Sequence, residues 1–196
     1  MPPTGLRRAV ATVALLNLSY FGIEFAVALQ IGSVSLFADS VDFLEDASVN
    51  LLIMLALGWG ALARARLGMV LAGLILVPAA ATLWTAWAKL VAPLAPAPDA
   101  ALLSVTGLGA LAVNLACAAL LARHRAHAGS LAKAAFLSAR NDALANLGII
   151  AAGLLTMVWA SAWPDLAVGL AIALLNMDAA REVWRAARAE ARVAQG

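Results

Sequence analysis

Residues 38–46 read ADSVDFLED, four carboxylates in nine residues. They sit in a chain of 196 residues that is 64% hydrophobic and only 12% charged, with a mean hydropathy of +0.93. A soluble domain carries about twice that fraction of charge, so the composition places the chain in the membrane class. Working outward from the acidic run, six apolar segments separated by short polar breaks can be marked off, at roughly 9–31, 35–62, 67–91, 101–122, 132–160 and 164–186. At about 1.5 Å per residue, each is long enough to cross a hydrocarbon core of about 30 Å. The acidic run lies inside the second. The expectation is an all-α integral membrane protein, a six-transmembrane-helix bundle forming a single domain over 1–196, with too little chain left over for a soluble module at either end. The first segment exceeds twenty residues and contains Asn17 and Glu24, so it is read as a helix and not as a cleaved signal.

The basic residues set an orientation. Arg7 and Arg8, Arg64 and Arg66, then Arg123, Arg125 and Lys133, and finally Arg181, Arg185, Arg188 and Arg192 fall on one side, eleven of the thirteen in the chain. Residues 32–34, 91–100 and 161–164 on the other side contain no Arg or Lys, and the adjoining helix ends add only Lys89. By the positive-inside rule the basic side is cytoplasmic, and both termini lie there. Trp84, Trp87, Trp159 and Trp163 then fall near the outer interface, and Trp59 and Trp184 near the inner one. Cys117 lies mid-segment without a disulfide partner and reads as a small apolar residue. His124 and His127, in the short basic loop RHRAHAG at 123–129, read as solvated surface. The tail after 186 reads as a basic amphipathic extension of the sixth helix. No cofactor and no nucleic-acid partner is called for.

An ionisable side chain at the centre of a transmembrane helix costs about 2.5–3.5 kcal/mol on insertion scales, so it persists mostly where it faces a cavity, a partner or an ion. On a helix, Asp39, Asp42 and Asp46 project from one face, Asn50 continues that face, and Glu45 flanks it. So many carboxylates at close quarters in a low dielectric must share protons or be neutralised by a cation. In the fifth segment, Ser138, Asp142 and Asn146 make a second polar stripe at four-residue spacing. Asp46 lies about eleven residues (~16 Å) below the outer end of its span, and Asp142 about ten residues (~15 Å) above the inner end of its own. The two stripes therefore meet near the midplane, where transporters commonly bind substrate. The candidate ligand set for a divalent cation is Asp42, Asp46 and Asp142 with Ser138 as a fourth oxygen donor, and Asp39, Glu45 and Asn146 as weaker candidates. Oxygen-rich sites suit ions such as Mn²⁺, and Zn²⁺ also accepts carboxylates. The competing reading is a polar helix interface of protonated carboxyls hydrogen-bonded to neighbours such as Asn50 and Asn146. Arg140 and Asp178 match in depth and read as an ion pair, while Glu24 reads either as a proton relay or as an interhelical hydrogen-bond partner.

With these residues in view, the chain resembles the cation diffusion facilitators. The string GSVSLFADSVDFLEDASVN at 32–50 carries the family's Ser-x-x-Leu-x-Ala-Asp type lead-in and its D-x-x-x-D pair, here Asp42 and Asp46. The string SARNDALANLGII at 138–150 resembles the second pair, with Ser138 where the family has His or Asp. Asn17, Glu24, Pro164 and Asp165 also fit the pattern. The resemblance implies a homodimeric secondary transporter, not an enzyme, that exports a divalent metal, typically zinc, in exchange for protons. It would reside as a multi-pass protein in a cell membrane, and the Ala- and Arg-rich composition suggests a bacterial inner membrane. Most members carry a cytoplasmic metal-binding domain after the last span, for which this chain leaves no room, so dimer formation would come from the spans or from another subunit. Metal-dependent lipid phosphotransferases also pair aspartates in a helix, but their Gly and Ala-Arg signature positions are not matched after Asp39 and Asp42. The remaining alternative is a non-transporting sensor or partner subunit of a full-length transporter.

Overall fold

A computed structural model describes residues 4–56, 61–91, 96–122 and 129–193, with side chains left undescribed at 52–56 and 129–141 and at scattered positions of the first, third and sixth helices. Six helices account for nearly all of it: α1 (Thr4–Ile31), α2 (Val34–Ala56), α3 (Ala61–Val91), α4 (Ala100–Ala122), α5 (Gly129–Val158) and α6 (Trp163–Val193). No strand occurs among the described residues. The helices fall on the six apolar segments, except that residues 61 and 62, expected in the second, open α3, while 57–60 lie outside the described residues; the basic tail continues α6 as helix to Val193. Among the described residues, Arg8–Ile31 and Ala100–Ala122 are long and apolar enough to cross a membrane on their own. The four carboxylates of α2 keep it out of that set.

Local chemistry sets the breaks between helices. The α1 helix ends where Gly32 adopts a left-handed backbone, φ 63°, and the Ser33 amide donates back to the Ala28 carbonyl at 3.0 Å. This is the Schellman closure, which favours glycine because a Cβ is strained at positive φ. Ser33 then caps α2, its hydroxyl accepting from the Leu36 amide at 3.1 Å. Asp99 does the same for α4, accepting from the Leu102 amide at 2.9 Å.

The α2 helix lies at the centre of the bundle. Among the described residues it packs against all five other helices, whereas α1 meets only α2 and α4, and α3 only α2 and α6. The broadest pairings are α4 with α5, α1 with α2 and α3 with α6. An apolar cluster of Ala28, Leu36, Ala38, Leu103, Ile149 and Ile172 ties α1, α2, α4, α5 and α6 together. A second cluster, Val34, Ala86, Ala162 and Leu166, places the start of α2, the end of α3 and the start of α6 at the same end of the molecule. At that end Gly169 lets α6 lie directly on α2: a Cβ there would stand 2.7 Å from the Ser35 amide nitrogen.

Polar and apolar side chains are distributed inside out. Asn17, Glu24, Asp39, Asn114, Asn146 and Asp165 are buried, while Leu15, Leu18, Ile23, Leu108, Leu155 and Leu175 are exposed. That is the arrangement expected of a bundle whose surroundings are as apolar as its surface. Trp84, Trp87, Trp159 and Trp163 are exposed near the α1–α2 turn end, and Trp184 lies near the other end with the Arg188 guanidinium 5.7 Å from its ring centroid. Asp178 stands exposed on α6. The side chain of its expected partner Arg140, and residues 123–128 with His124 and His127, lie outside the described residues.

Candidate metal centre

The α1–α2 hairpin fixes the acidic face. Its register is read from three facing pairs placed symmetrically about the Ile31–Gly32 junction: Asn17 with Asp46, Tyr20 with Phe43, and Glu24 with Asp39. Asn17 donates from Nδ2 to Asp46 Oδ2 at 3.4 Å. The rings of Tyr20 and Phe43 lie with centroids 5.1 Å apart. Glu24 and Asp39 carry their carboxyls against each other. Helical geometry alone sets these matches: once Gly32 turns the chain, antiparallel helices align residues equidistant from the turn.

From α2 the carboxylates diverge toward different neighbours. Asp42 lies within electrostatic reach of Asp142 on α5 as well as of Asp39, Glu45 and Asp46 on its own helix. Asp46 is half-buried and held from α1 by Asn17, whose own Oδ1 accepts from the Cys117 thiol of α4 at 3.4 Å. Cys117 is itself within reach of Asp46 and Asp142. A chain of contacts thus runs from α4 through α1 to α2, opposite the carboxylate of α5. Glu45 is half-buried beside Asp46.

Asp42, Asp46 and Asp142 are therefore gathered in one region of the bundle, with Asp39 and Glu45 at its edges. Ser138 belongs to α5, but its side chain lies outside the described residues. Asn146 is fully buried one turn from Asp142, with neither amide atom hydrogen-bonded. Asn50 turns back on its own helix, donating to the Asp46 carbonyl at 2.7 Å. Among the described residues neither asparagine donates to the carboxylates, and Asp46 takes its hydrogen bond from Asn17 instead. Among the described residues no three His, Cys, Asp or Glu side chains are drawn to metal-cage distance.

Two neighbours of the acidic face were not assigned to it from the sequence, Asn17 having been noted only as fitting the family pattern. Asn17 is the donor to Asp46, and counting residues outward from Gly32 in both directions would have found it. Cys117, read as an apolar filler, is buried and occupies the α4 side of the same region. Its signal was weak, since nothing in the sequence says that α4 meets α1 at that level.

At the opposite margin, toward the hairpin turn, Asp165 of α6 is a finished polar site. Its Oδ1 accepts from the Ser33 hydroxyl at 2.5 Å, the Ser35 hydroxyl at 2.6 Å and the Ser35 amide at 3.1 Å, and its Oδ2 accepts from the Val34 amide at 2.8 Å. Lys89 Nζ stands 3.7 Å from Oδ2. A carboxylate on the free amides of a helix N-terminus is favoured both by the hydrogen bonds and by the helix dipole. This clasp pins the outset of α2 and thereby the register of its aspartates.

Comparison with family models gives a match to the cation efflux transmembrane domain over residues 10–190. Comparison with curated proteins gives no match. The matched family consists of membrane transporters and not of enzymes, and its stretch takes in every helix and all the carboxylates described above. The chain belongs to the cation efflux family.

Proposed function

We propose that the chain exports a divalent metal cation from the cytoplasm by proton antiport, through a midplane site formed by Asp42, Asp46 and Asp142 with Ser138 as a fourth oxygen donor. The observation that carries this reading is the electrostatic grouping of Asp42 on the central helix with Asp142 on α5. Asp46 adds to it from the next turn of α2, steadied by Asn17. Three carboxylates in an apolar bundle require positive charge, and a metal ion or protons can supply it in turn. Exchange of the two follows when the bundle opens alternately to either side. The donor set is mainly oxygen, which accommodates Mn²⁺, Co²⁺, Fe²⁺ and Cd²⁺ as well as Zn²⁺.

In this reading all six helices cross the membrane, both termini are cytoplasmic, and the protein is a homodimer packed through its helices in a bacterial inner membrane. The exposed arginines Arg181, Arg185, Arg188 and Arg192 on the far half of α6 support that orientation. The test is metal-dependent proton flux in proteoliposomes, with Zn²⁺, Mn²⁺, Co²⁺, Cd²⁺ and Fe²⁺ offered in turn. Flux with one ion, abolished by Asp46→Ala and by Asp142→Ala, is the expected result. Metal binding without flux would favour the sensor or partner-subunit role and make Ser138→His the next variant.

A further inference from the structure

Glu24 and Asp39 form a buried acidic pair that the ligand set above leaves unused. Both are fully buried, and their four carboxylate oxygens face each other without a hydrogen-bond donor from any other described residue. The polar groups around them are engaged elsewhere. Tyr20, whose phenol faces the pair, donates to the Thr106 carbonyl at 2.6 Å. Ser40 donates to the Phe37 carbonyl at 2.8 Å, and Asn17 to Asp46. Lys89 is committed to the Asp165 clasp at the helix end. The contrast with Asp165 is informative: one buried carboxylate is saturated with donors, while two others from different helices face each other with none. Carboxyls buried in that way are sustained by a proton shared between them or by a cation placed between them.

We propose that Glu24 and Asp39 are a second cation station, one helical turn from Asp42 toward the α1–α2 turn, which holds the divalent ion after it leaves the Asp42–Asp46–Asp142 group. The proposal rests on the transport reading above. Asp39 precedes Asp42 by three residues on α2, a separation of about 4.5 Å along the axis, so an ion can pass between the stations without losing carboxylate contact. Glu24 is also within electrostatic reach of Asp42, which makes the two stations neighbours and not independent sites. Two carboxylates offer up to four oxygens, a donor type suited to hard divalent ions, with water completing the shell.

The test is equilibrium binding of Cd²⁺ and Mn²⁺ to the purified protein and its variants, combined with flux in proteoliposomes. Monodispersity and helix content of each variant are checked first, and Asp39→Asn stands in should Glu24→Gln not fold. Removing the first site with Asp46→Ala and Asp142→Ala together is expected to leave a weaker binding event, which disappears when Glu24→Gln is added. Glu24→Gln alone is expected to retain binding at the first site and to slow flux by about tenfold or more, the scale on which groups next to a metal site act. If the variant lacking the first site binds no ion while the wild-type protein binds and transports, the pair is kept neutral by protons alone and the proposal is overturned. In the variant lacking the first site, residual binding that survives Glu24→Gln and Asp39→Asn overturns it equally. Failure of the transport reading is separately visible: the wild-type protein would bind ions at two places yet produce no flux.

Discussion

Asp165, Asn17 and the pair Glu24–Asp39 differ less in burial than in what surrounds them, and their roles follow from that. Asp165 gathers two hydroxyls, two amides and an ammonium, so it fastens. Replacing it by Ala strands all of these at once, and we expect a loss of about 3–5 kcal/mol in thermal or denaturant unfolding in detergent. Asp165→Asn keeps one acceptor oxygen and is expected to lose about 1–3 kcal/mol. A change below about 1 kcal/mol for the Ala variant would mean that α2 is held in place by apolar packing alone. Asn17 is hydrogen-bonded to Asp46, and in the transport reading Asn17→Ala is expected to weaken metal binding by about 10–100-fold, with a loss of about 1–3 kcal/mol in unfolding because the side chain is fully buried. Equilibrium dialysis with the transported ion measures the binding. The carboxylates themselves were legible in the sequence, because charge is conspicuous in an apolar segment. Their partners were not: Ser35 and Asp165 are 130 residues apart, and no local pattern links them.

At the scale of the elements, the apolar runs foretold six helices, because in lipid a backbone satisfies its own polar groups most simply as helix. Which helices would be neighbours was not foretold. Short connections suggest α1 beside α2 and α4 beside α5, but the broad pairing of α3 with α6 joins elements far apart in the chain. The sequence reading gave α2 one polar face. In the bundle that helix meets all five others among the described residues, so Asp39 turns to α1 while Asp42 answers to α5. Two glycines set how closely the enclosing helices approach. Gly32→Ala places a Cβ at positive φ and is expected to cost about 1–2 kcal/mol. Gly169→Ala drives a methyl into the Val34–Ser35 backbone and is expected to cost about 1–3 kcal/mol as α6 is levered from α2. Unfolding in detergent measures both. The Gly169 variant should in addition lose part of the effect of Asp165→Ala, because a displaced α6 can no longer deliver that carboxylate to the start of α2. A double variant whose losses simply add would separate the clasp from the helix contact.

At the scale of the whole molecule, charge is segregated along the bundle. The exposed arginines of α6 lie at one end, whereas at the other Lys89 is drawn inward to Asp165 and exposed tryptophans surround the helix ends. This polarity was legible from the sequence, since it depends only on where basic residues fall between apolar runs. It makes the orientation testable without any knowledge of the transported ion. In a Cys117→Ala background, Ser161→Cys places a thiol between α5 and α6 at the tryptophan end, and Arg192→Cys places one near the end of α6. A membrane-impermeant maleimide is expected to label the first from outside intact cells and the second only in inside-out vesicles, as the positive-inside rule requires. Reversed labelling would overturn the orientation proposed above. The station at Glu24 and Asp39 would then lie on the cytoplasmic side of the Asp42–Asp46–Asp142 group, as a point of entry instead of exit.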